Sequence, residues 1–504
     1  MANKIKTLLL TPVALLSLAA CSKTAENKSV ITFEHDDIVQ NVFGGLGVEW
    51  GVYEDTDKIM EGGWEKITNH MDRLGAARVR VMVSYEWFVQ NFDDKDTKND
   101  KSDDTWTYNF SNKYASNLMD ILQYCQIHNI DVAFGAWNVI DKDDDVLWGM
   151  TDEVTSDIRW AKVSTDVVDF LVHQKGFTCI KWFCSTNEPN WLGAKGSSKN
   201  YNNTYAKWEQ GVKNVRKAFD DADLKDIGIV GGDVTGFEGI MEYLPNIAKN
   251  INDKVGDYGV HLYLSNISVD RGEMAEQITE IYEQLKESDP RLGDTIQANI
   301  WEGGLRDGKT TLDCQSLIAT PNYAVRMVDY TVQSLMSKVT GICYWSFDDA
   351  MNFMYSNNSM TPKEWGMFSS LADASSGKQE LRPWYHTSSL LCHMFKKGNI
   401  IYNTATNTEN KENTFRAIAT RSHDGNQGGI VAVNAGLKPV EKTLQLNEAV
   451  KGDKLYVYVF NANSYRLDGD GYIIPNYVID GSLNDEISLT IPNSTAVFIS
   501  NERL

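Results

Sequence analysis

The sequence predicts an α/β protein, a (β/α)8 TIM barrel followed by a smaller C-terminal β-sandwich. Short apolar runs alternate with long amphipathic segments from about Phe43 to Phe395, as parallel strands and crossover helices do. The apolar runs number eight, which is the strand count of a TIM barrel. After about Asn399 the chain changes to short alternating runs separated by polar turns, a pattern typical of a sandwich.

The N-terminus has the pattern of an export signal. A basic start, MANKIK, precedes the apolar run TLLLTPVALLSL, which is too short to span a bilayer as a mature helix. The segment Leu18–Cys21 resembles the bacterial lipobox, whose cysteine is lipidated and becomes the mature N-terminus. We expect residues 1–21 to be a lipoprotein signal peptide and residues 22–32 a polar tether, with the protein exported and anchored in a bacterial membrane. An ordinary secretory signal with an incidental cysteine is the alternative.

Residues 33–397 are predicted to form the barrel. Its eight predicted strands are VFGGLGV, ARVRVMV, IDVAFGAW, CIKWFCS, IGIVGGDV, YGVHLYL, TIQANIW and GICYWSF. Between them lie patterns such as NLMDILQYCQIH and AEQITEIYEQL, whose apolar residues recur at three-and-four spacing and predict helices. An open doubly wound sheet is the competing architecture. Such sheets usually have fewer strands and a glycine-rich phosphate-binding turn, which this sequence lacks.

Residues 398–504 are predicted to form the β-sandwich. Its predicted strands lie in FRAIATRS, GGIVAVNAG, KTLQLNE, KLYVYVFN, EISLTIP and TAVFISN. The segment SVITFEH, which precedes the barrel, is a candidate for one more strand of the sandwich. We expect the sandwich to pack against the barrel; a carbohydrate-binding module is the alternative.

Composition and charge exclude several classes of function. A net charge of −21 without a basic patch argues against nucleic acid as a partner. The six cysteines beyond Cys21 show no CxxC pair, and the eight histidines are scattered, so neither a disulfide framework nor a metal site is predicted. The 14 Trp and 22 Tyr supply rings that can stack on sugars, although large cores also use aromatic residues. No obligate protein partner is evident.

Two glutamates stand at the carboxyl ends of predicted strands. Glu188 follows the fourth strand in STNEPN, and Glu302 ends the seventh in NIWEGG. The carboxyl ends of all barrel strands meet at one mouth, so carboxylates from distant parts of the sequence can face one gap. Glycoside hydrolysis needs such a pair, because one carboxyl protonates the leaving oxygen while the other attacks the sugar or activates water.

In these motifs the sequence resembles the clan A glycoside hydrolases, which are retaining TIM-barrel enzymes. The Asn-Glu-Pro motif supplies Asn187 and Glu188, and WEGG supplies Glu302. The resemblance implies that Glu188 is the acid/base and Glu302 the nucleophile of a double displacement, on a poly- or oligosaccharide bond expected to be β, with no cofactor. GAARVRVMVSYEW, GVHLY and CYWSF resemble the second, sixth and eighth strands of these enzymes. The substrate-binding residues that these segments imply are Arg80, His261, Tyr263 and Trp345.

The implied roles also have physical reasons. Asn187 can donate a hydrogen bond to a sugar 2-hydroxyl, and Trp345 could form the floor beneath the sugar. Tyr263 can donate to Glu302, and both this bond and the charge of Arg80 would keep the nucleophile ionised. His261 and Tyr263 share one face of their strand because they are two residues apart. A purely structural role for the histidine stays open.

Further candidates follow other strands. Trp137 and Asn138 end the third strand and are expected to reach the substrate, although ordinary packing is the alternative. Weaker candidates are Trp50, Trp191, Asp233, Asp348 and Asp349. Thr186 stands where many clan members carry an aromatic residue, which weakens assignment to one family. The alternative function is a surface lipoprotein that captures a glycan without cleaving it, but such a protein has no reason to keep the glutamate pair.

Overall fold

The computed structural model describes residues 6–8, 30–52, 63–95, 100–137, 156–192, 204–292, 296–311, 313–349, 353–356, 359–362, 364–369, 381–404 and 414–504. Cys21 and Asn138 lie outside these residues, and so does the side chain of Trp191. Within the described chain, every helix is either too short or too polar to cross a membrane.

The barrel strands form one parallel sheet that closes on itself. In chain order they are Leu46–Glu49, Arg78–Val83, Asp131–Ala136, Ile180–Cys184, Gly228–Ile229 with Gly232–Thr235, Tyr258–Leu264, Ala298–Leu305 and Gly341–Tyr344. The fifth strand is divided, and its first segment pairs with the fourth strand while its second pairs with the sixth. Because one short stretch of chain joins both ends of the sheet, the ring closes. The predicted (β/α)8 fold is confirmed, and each of the eight apolar runs overlaps a barrel strand.

Helices cover the outside of the barrel. The long ones are Gly63–Leu74, Lys113–Ile127, Ile158–Asp169, Tyr205–Asp221, Phe237–Asn250, Glu273–Ser288, Pro321–Met336 and Pro383–Met394. Several begin at a capping side chain, as when the Thr320 hydroxyl accepts the backbone N–H of Tyr323. The shorter helical elements are the helices Pro189–Leu192 and Asn266–Asp270, the π-helical turn Phe170–Gln174, and the 3-10 turns His35–Asp37, Tyr85–Trp87, Asn252–Lys254 and Pro290–Leu292. Three further pairs of strands form small antiparallel sheets: Val89–Asp93 with Thr105–Tyr108, Phe353–Ser356 with Ser359–Pro362, and Arg466–Leu467 with Ile473–Ile474.

Alternation along the strands separates the barrel interior from the helix-facing layer. On the second strand, Val79 and Val81 pack into the helix-facing core, whereas Arg78, Arg80 and Met82 point inward. Arg78 lies deep in the barrel, where its guanidinium donates to Asn299 at 2.8 Å. Arg80, two residues later on the same face, is therefore carried to the carboxyl-end mouth.

The C-terminal sandwich packs one sheet against the barrel. The strands of its seven-stranded sheet lie in the order Tyr477–Asp480, Lys454–Phe460, Thr495–Ser500, Gly428–Asn434, Phe415–Arg421, Ile400–Tyr402 and Ile38–Gln40. The strands of its four-stranded sheet lie in the order Lys6–Leu8, Ile487–Ile491, Val440–Leu446 and Val30–Phe33. Alternate residues such as Ile430 and Val431 face the sandwich core and the barrel core respectively. A buried ion pair between Arg416 and Asp329, at 2.6 Å, joins the sandwich to helix Pro321–Met336.

The N-terminal segment belongs with the sandwich. Val30–Phe33 pairs with Val440–Leu446, so the strand predicted in SVITFEH is present. Ile38–Gln40 pairs with Ile400–Tyr402 of the other sheet. Residues 30–32 of the predicted tether, and residues 33 and 38–40 of the predicted barrel, therefore lie in sandwich strands. Backbone pairing places them there, and their apolar pattern alone does not distinguish the two domains.

Candidate active site

A buried arginine organises the mouth of the barrel. The Nη1 group of Arg80 donates to Glu49 Oε2 and to Glu302 Oε1, each at 2.8 Å. Its Nη2 group donates to Asn187 Oδ1 at 2.7 Å and to Asp233 Oδ2 at 2.8 Å. Burial disfavours the charged guanidinium, but the surrounding carboxylates outweigh burial and raise the pKa of Arg80 well above its usual range. The charge of Arg80 thus holds together side chains from strands all around the barrel.

Glu302 is held from two sides. Its Oε1 accepts from Arg80, and its Oε2 accepts the Tyr263 hydroxyl at 2.8 Å. The structure therefore places Arg80 and Tyr263, the two residues expected to support Glu302, against its two carboxylate oxygens. Burial outweighs the lowering effect of the positive charges of His261 and Arg80, so the pKa of Glu302 lies above its usual range. The contacts expected to favour the ionised carboxylate are present, but desolvation is the larger effect.

Glu188 faces Glu302 across the mouth. A carboxylate oxygen of each residue, together with a ring nitrogen of His261, lies within 4.8 Å of the others. Glu188 has φ of 43°, a left-handed conformation that costs a non-glycine residue about 1–3 kcal/mol and is common at functional sites. Its backbone N–H donates to the carbonyl of Asp233 at 3.1 Å, which fixes this turn. The Glu188 side chain keeps 22% of its surface exposed, so it remains open to a ligand.

His261 lies between two carboxylates. Its Nε2 is 2.9 Å from Asp233 Oδ1, and its Nδ1 is 3.0 Å from Glu188 Oε1. Burial disfavours the imidazolium, but the charges of Asp233 and Glu302 outweigh it and raise the pKa of His261 to about 10. Burial likewise opposes ionisation of Asp233, yet Arg80 and His261 bring the pKa of that carboxyl below its usual range. The histidine is thus part of the charged network.

Tryptophan side chains border the charged network. The guanidinium carbon of Arg80 lies 5.7 Å from the centre of the Trp137 ring. Trp137 and Trp345 meet edge to face, with ring centres 6.2 Å apart. Trp365, which the sequence did not indicate, lies beside Tyr263, with the two ring centres 5.8 Å apart. Trp137 and Trp345 therefore stand next to the carboxylates, where flat rings can contact a sugar.

Glu188, His261 and Glu302 are also the one group in the described chain whose atoms are spaced to hold a metal ion. A metal needs a free lone pair on the histidine, which must therefore be neutral. Both ring nitrogens of His261 already face protein carboxylates, and its raised pKa favours the protonated form. The trio fits a proton-handling site better than a metal site.

Sequence reasoning missed Glu49 and understated Asp233. Glu49 ends the first barrel strand, so its position carried the same signal as Glu188 and Glu302. It is fully buried, and burial raises its pKa to about 8 against the lowering effect of Arg80. Its Oε1 has no hydrogen-bond partner among the described residues. When Glu49 is protonated and neutral, the carboxylates of Glu302 and Asp233 balance the charge of Arg80.

Other weak candidates do not belong to the network. Trp50 is buried outside the barrel sheet, where its ring packs against Trp64 and Phe347. Asp349 forms a buried ion pair with Arg382 at 2.6 Å and accepts a backbone N–H, so its oxygens are committed to structure. Asp348 is buried as well.

Glu49→Gln is expected to remove part of the pH dependence of stability. A carboxyl with a raised pKa stabilises the fold below its unfolded pKa and loses that contribution as pH rises through the folded value. For Glu49 the window runs from 4.5 to about 8. We expect the melting temperature of the wild type to fall across this window and that of Glu49→Gln to fall less. Parallel curves would contradict a raised pKa.

Several solved structures with the same fold are glycoside hydrolases. A GH30 endoxylanase from Clostridium papyrosolvens C71 matches with a TM-score of 0.59 and 13% identity, over 94% of this chain and 100% of that one. A GH39 β-xylosidase from Caulobacter crescentus matches with a TM-score of 0.58 and 15% identity, over 94% and 100%. A family 51 α-L-arabinofuranosidase from Bifidobacterium longum matches with a TM-score of 0.60 and 12% identity, over 95% and 100%.

These likenesses define the class of fold. The resemblance to the clan A glycoside hydrolases, predicted from strand-end motifs, is confirmed for the fold over nearly the whole chain. No protein-family model matches the sequence, and no curated protein matches it. Because identities are at most 15% in these three cases, activity must be argued from the side chains at the mouth.

Proposed function

We propose that the protein is a retaining glycoside hydrolase that acts through Glu188 and Glu302. The observation that carries this proposal is the gap between their carboxylate oxygens, which is no more than 4.8 Å. Retaining glycosidases have carboxyl groups about 5–5.5 Å apart, whereas inverting enzymes need about 6.5–9.5 Å to admit a water molecule. The short gap therefore supports direct attack by one carboxylate.

Glu302 has the features of the nucleophile. Arg80 and Tyr263 fix both of its oxygens, so its carboxylate is oriented before the substrate binds. In the first step an oxygen of Glu302 forms a bond to the anomeric carbon while the bond from that carbon to the leaving oxygen breaks. The leaving oxygen takes a proton from Glu188. In the second step Glu188 removes a proton from water, which attacks the same carbon and releases Glu302.

The substrate is proposed to be a neutral poly- or oligosaccharide with a β-glycosidic bond. Tryptophan rings at the mouth and a net charge of −21 suit an uncharged, ring-shaped ligand. The structural neighbours include an endoxylanase, a β-xylosidase, an endo-β1,6-glucanase and an α-L-arabinofuranosidase, and these activities guide the choice of test sugars. No cofactor is required by this chemistry.

A hydrolysis screen tests the proposal. The protein beginning after Cys21 would be incubated with xylans, β-glucans, arabinans and the matching aryl glycosides, with products separated by size. Cleavage by the wild type identifies the sugar and separates internal from terminal attack. The competing function is glycan capture, which predicts binding to a polysaccharide by the wild type and by Glu302→Ala, and cleavage by neither.

Glu188→Ala is expected to slow substrates according to their leaving groups. Loss of a general acid costs about 10²–10⁴-fold where the leaving oxygen needs a proton. Dinitrophenyl glycosides need no proton, so their first step should survive and the intermediate should accumulate. Steady-state and burst kinetics over a series of aryl glycosides measure this. The same loss on every substrate would argue against the acid role.

We further propose that the protein is an exported lipoprotein, anchored through Cys21 to a bacterial membrane. The support is the lipobox-like segment Leu18–Cys21 behind a basic and apolar start. Processing before Cys21 would also remove strand Lys6–Leu8 from the edge of the four-stranded sheet. In bacterial cells, labelled palmitate should enter the wild type and not Cys21→Ala. Labelling of both proteins, or of neither, would contradict the anchor.

A further inference from the structure

His261 is fully enclosed between two acceptors. Asp233 Oδ1 faces its Nε2 at 2.9 Å, and Glu188 Oε1 faces its Nδ1 at 3.0 Å. A neutral imidazole has one donor nitrogen and one acceptor nitrogen. Two carboxylates can therefore both be bonded only if the ring carries a second proton, or if one carboxyl is itself protonated. Asp233, His261 and Glu188 together therefore hold one proton more than a neutral imidazole and two carboxylates would.

The surroundings decide where that proton lies. Asp233 also accepts from Arg80 Nη2 at 2.8 Å and from the Cys184 thiol at 2.9 Å, so its second oxygen is occupied by donors. An ionised Asp233 takes the Nε2–H of His261. The additional proton must then lie in the other hydrogen bond, between Nδ1 of His261 and Oε1 of Glu188.

We propose that Asp233 is a positioning residue which, through His261, holds the catalytic proton of Glu188 in the Nδ1···Oε1 hydrogen bond. This inference rests on the proposed function, because it names the store from which the acid/base draws its proton. Asp233 itself does not contact the substrate. Its negative charge sets how tightly His261 and Glu188 bind the proton that they share.

The proton is accounted for in both steps. As the leaving oxygen separates from the anomeric carbon, the shared proton passes through the Glu188 carboxyl to that oxygen. His261 then keeps a single proton, on Nε2 facing Asp233, and its Nδ1 lone pair faces the Glu188 carboxylate. That repulsion makes Glu188 a stronger base toward water. Hydrolysis of the Glu302 ester returns one proton from water to the pair.

Every charged group around His261 acts on this proton. From the seventh strand, Glu302 Oε2 lies 3.4 Å from Nδ1, and from the second strand Arg80 opposes the imidazolium through the shared Asp233. From its own strand Tyr263 binds Glu302, while Glu188 and Asp233 come from the fourth and fifth. When Glu302 becomes an ester its charge disappears, so the imidazolium is stabilised less as the proton leaves.

The test is the pH dependence of Asp233→Asn. Asparagine keeps the size and the acceptor oxygen but removes the charge, so the alkaline limb of the kcat/KM profile should move about one pH unit or more toward acid. Aryl glycosides with poor leaving groups should lose most. Asp329→Asn is the matched control, because it removes a buried carboxylate paired with Arg416 far from His261. It should keep the wild-type limb. An unmoved limb in Asp233→Asn with equal loss at every pH would overturn the proposal.

A measurement on the wild type does not depend on how Asp233→Asn folds, because the only variant it uses, His261→Gln, serves to assign a signal. In the ¹⁵N spectrum of histidine-labelled protein, with His261 assigned from His261→Gln, we expect Nε2 to carry a proton at pH 7. A proton-free Nε2 would overturn the proposal. This spectrum does not require turnover, so it is separate from the hydrolysis screen, whose failure would overturn the proposed function instead.

Discussion

Glu302→Ala is expected to lose about 10⁴–10⁶-fold in kcat, because a reaction that proceeds through a covalent intermediate stops without its nucleophile. The loss should be measured on an activated aryl glycoside, for which proton donation by Glu188 is unimportant. Glu287→Ala, which changes an exposed glutamate on helix Glu273–Ser288, is the control and should keep wild-type activity.

Azide separates this role from general damage. A small anion can enter the space left by the Glu302 carboxylate and attack the anomeric carbon once, giving a glycosyl azide of inverted configuration. The product's configuration follows from its NMR coupling constants. A glycosyl azide of retained configuration would assign the nucleophile to another residue. Failure of azide to react, with a folded variant, would remove Glu302 from the reaction.

Arg80→Met is expected to destabilise the fold more than loss of any other ion pair described here. The substitution removes the cation that contacts Glu49, Asp233 and Glu302 in a fully buried site. Breaking a buried pair by removing one partner costs about 3–5 kcal/mol. Here Asp233 and Glu302 lose a shared cation together, although Asp233 keeps His261 and Glu302 keeps Tyr263. Urea unfolding at neutral pH gives the change in the free energy of unfolding.

The comparison variant is Arg382→Met. Arg382 is also mostly buried, but among the described residues its carboxylate partner is the single residue Asp349. If Arg80→Met lowers the free energy of unfolding no more than Arg382→Met does, the carboxyl groups around Arg80 are not held in place by the arginine. Adding Asp233→Asn to Arg80→Met should recover part of the stability, because it removes one of the uncompensated charges.

Much of the fold and the glutamate pair could be predicted from the sequence. Apolar runs of strand length mark buried parallel strands, and the carboxyl ends of barrel strands must converge. Glu188 and Glu302 therefore face each other independently of the conformations of the loops. Arg80 was implied by the resemblance of GAARVRVMVSYEW to the second strand of clan A enzymes, and the structure shows that it shares the inward face of that strand with Arg78 and Met82.

The remaining contacts depend on geometry that a linear sequence does not display. Asp233 lies in the second segment of the divided fifth strand, at a register irregularity, and has φ of 55°, so its inward direction could not be read from strand alternation. Trp50 and Glu49 are adjacent, yet alternation sends the glutamate to Arg80 and the tryptophan to the helix-facing core. Asp349 looked available because its partner, Arg382, is distant in sequence.

Trapping of the glycosyl-enzyme tests the central claim most directly. The wild type would be treated with dinitrophenyl 2-deoxy-2-fluoro glycosides of xylose, glucose and arabinofuranose, whose fluorine slows hydrolysis of the covalent intermediate. We predict that one sugar adds the mass of a single glycosyl group to the intact protein, and that peptide mapping places it on Glu302. A label on another residue, or no label with a sugar whose ordinary glycoside is hydrolysed with inversion, would contradict a double displacement through Glu302.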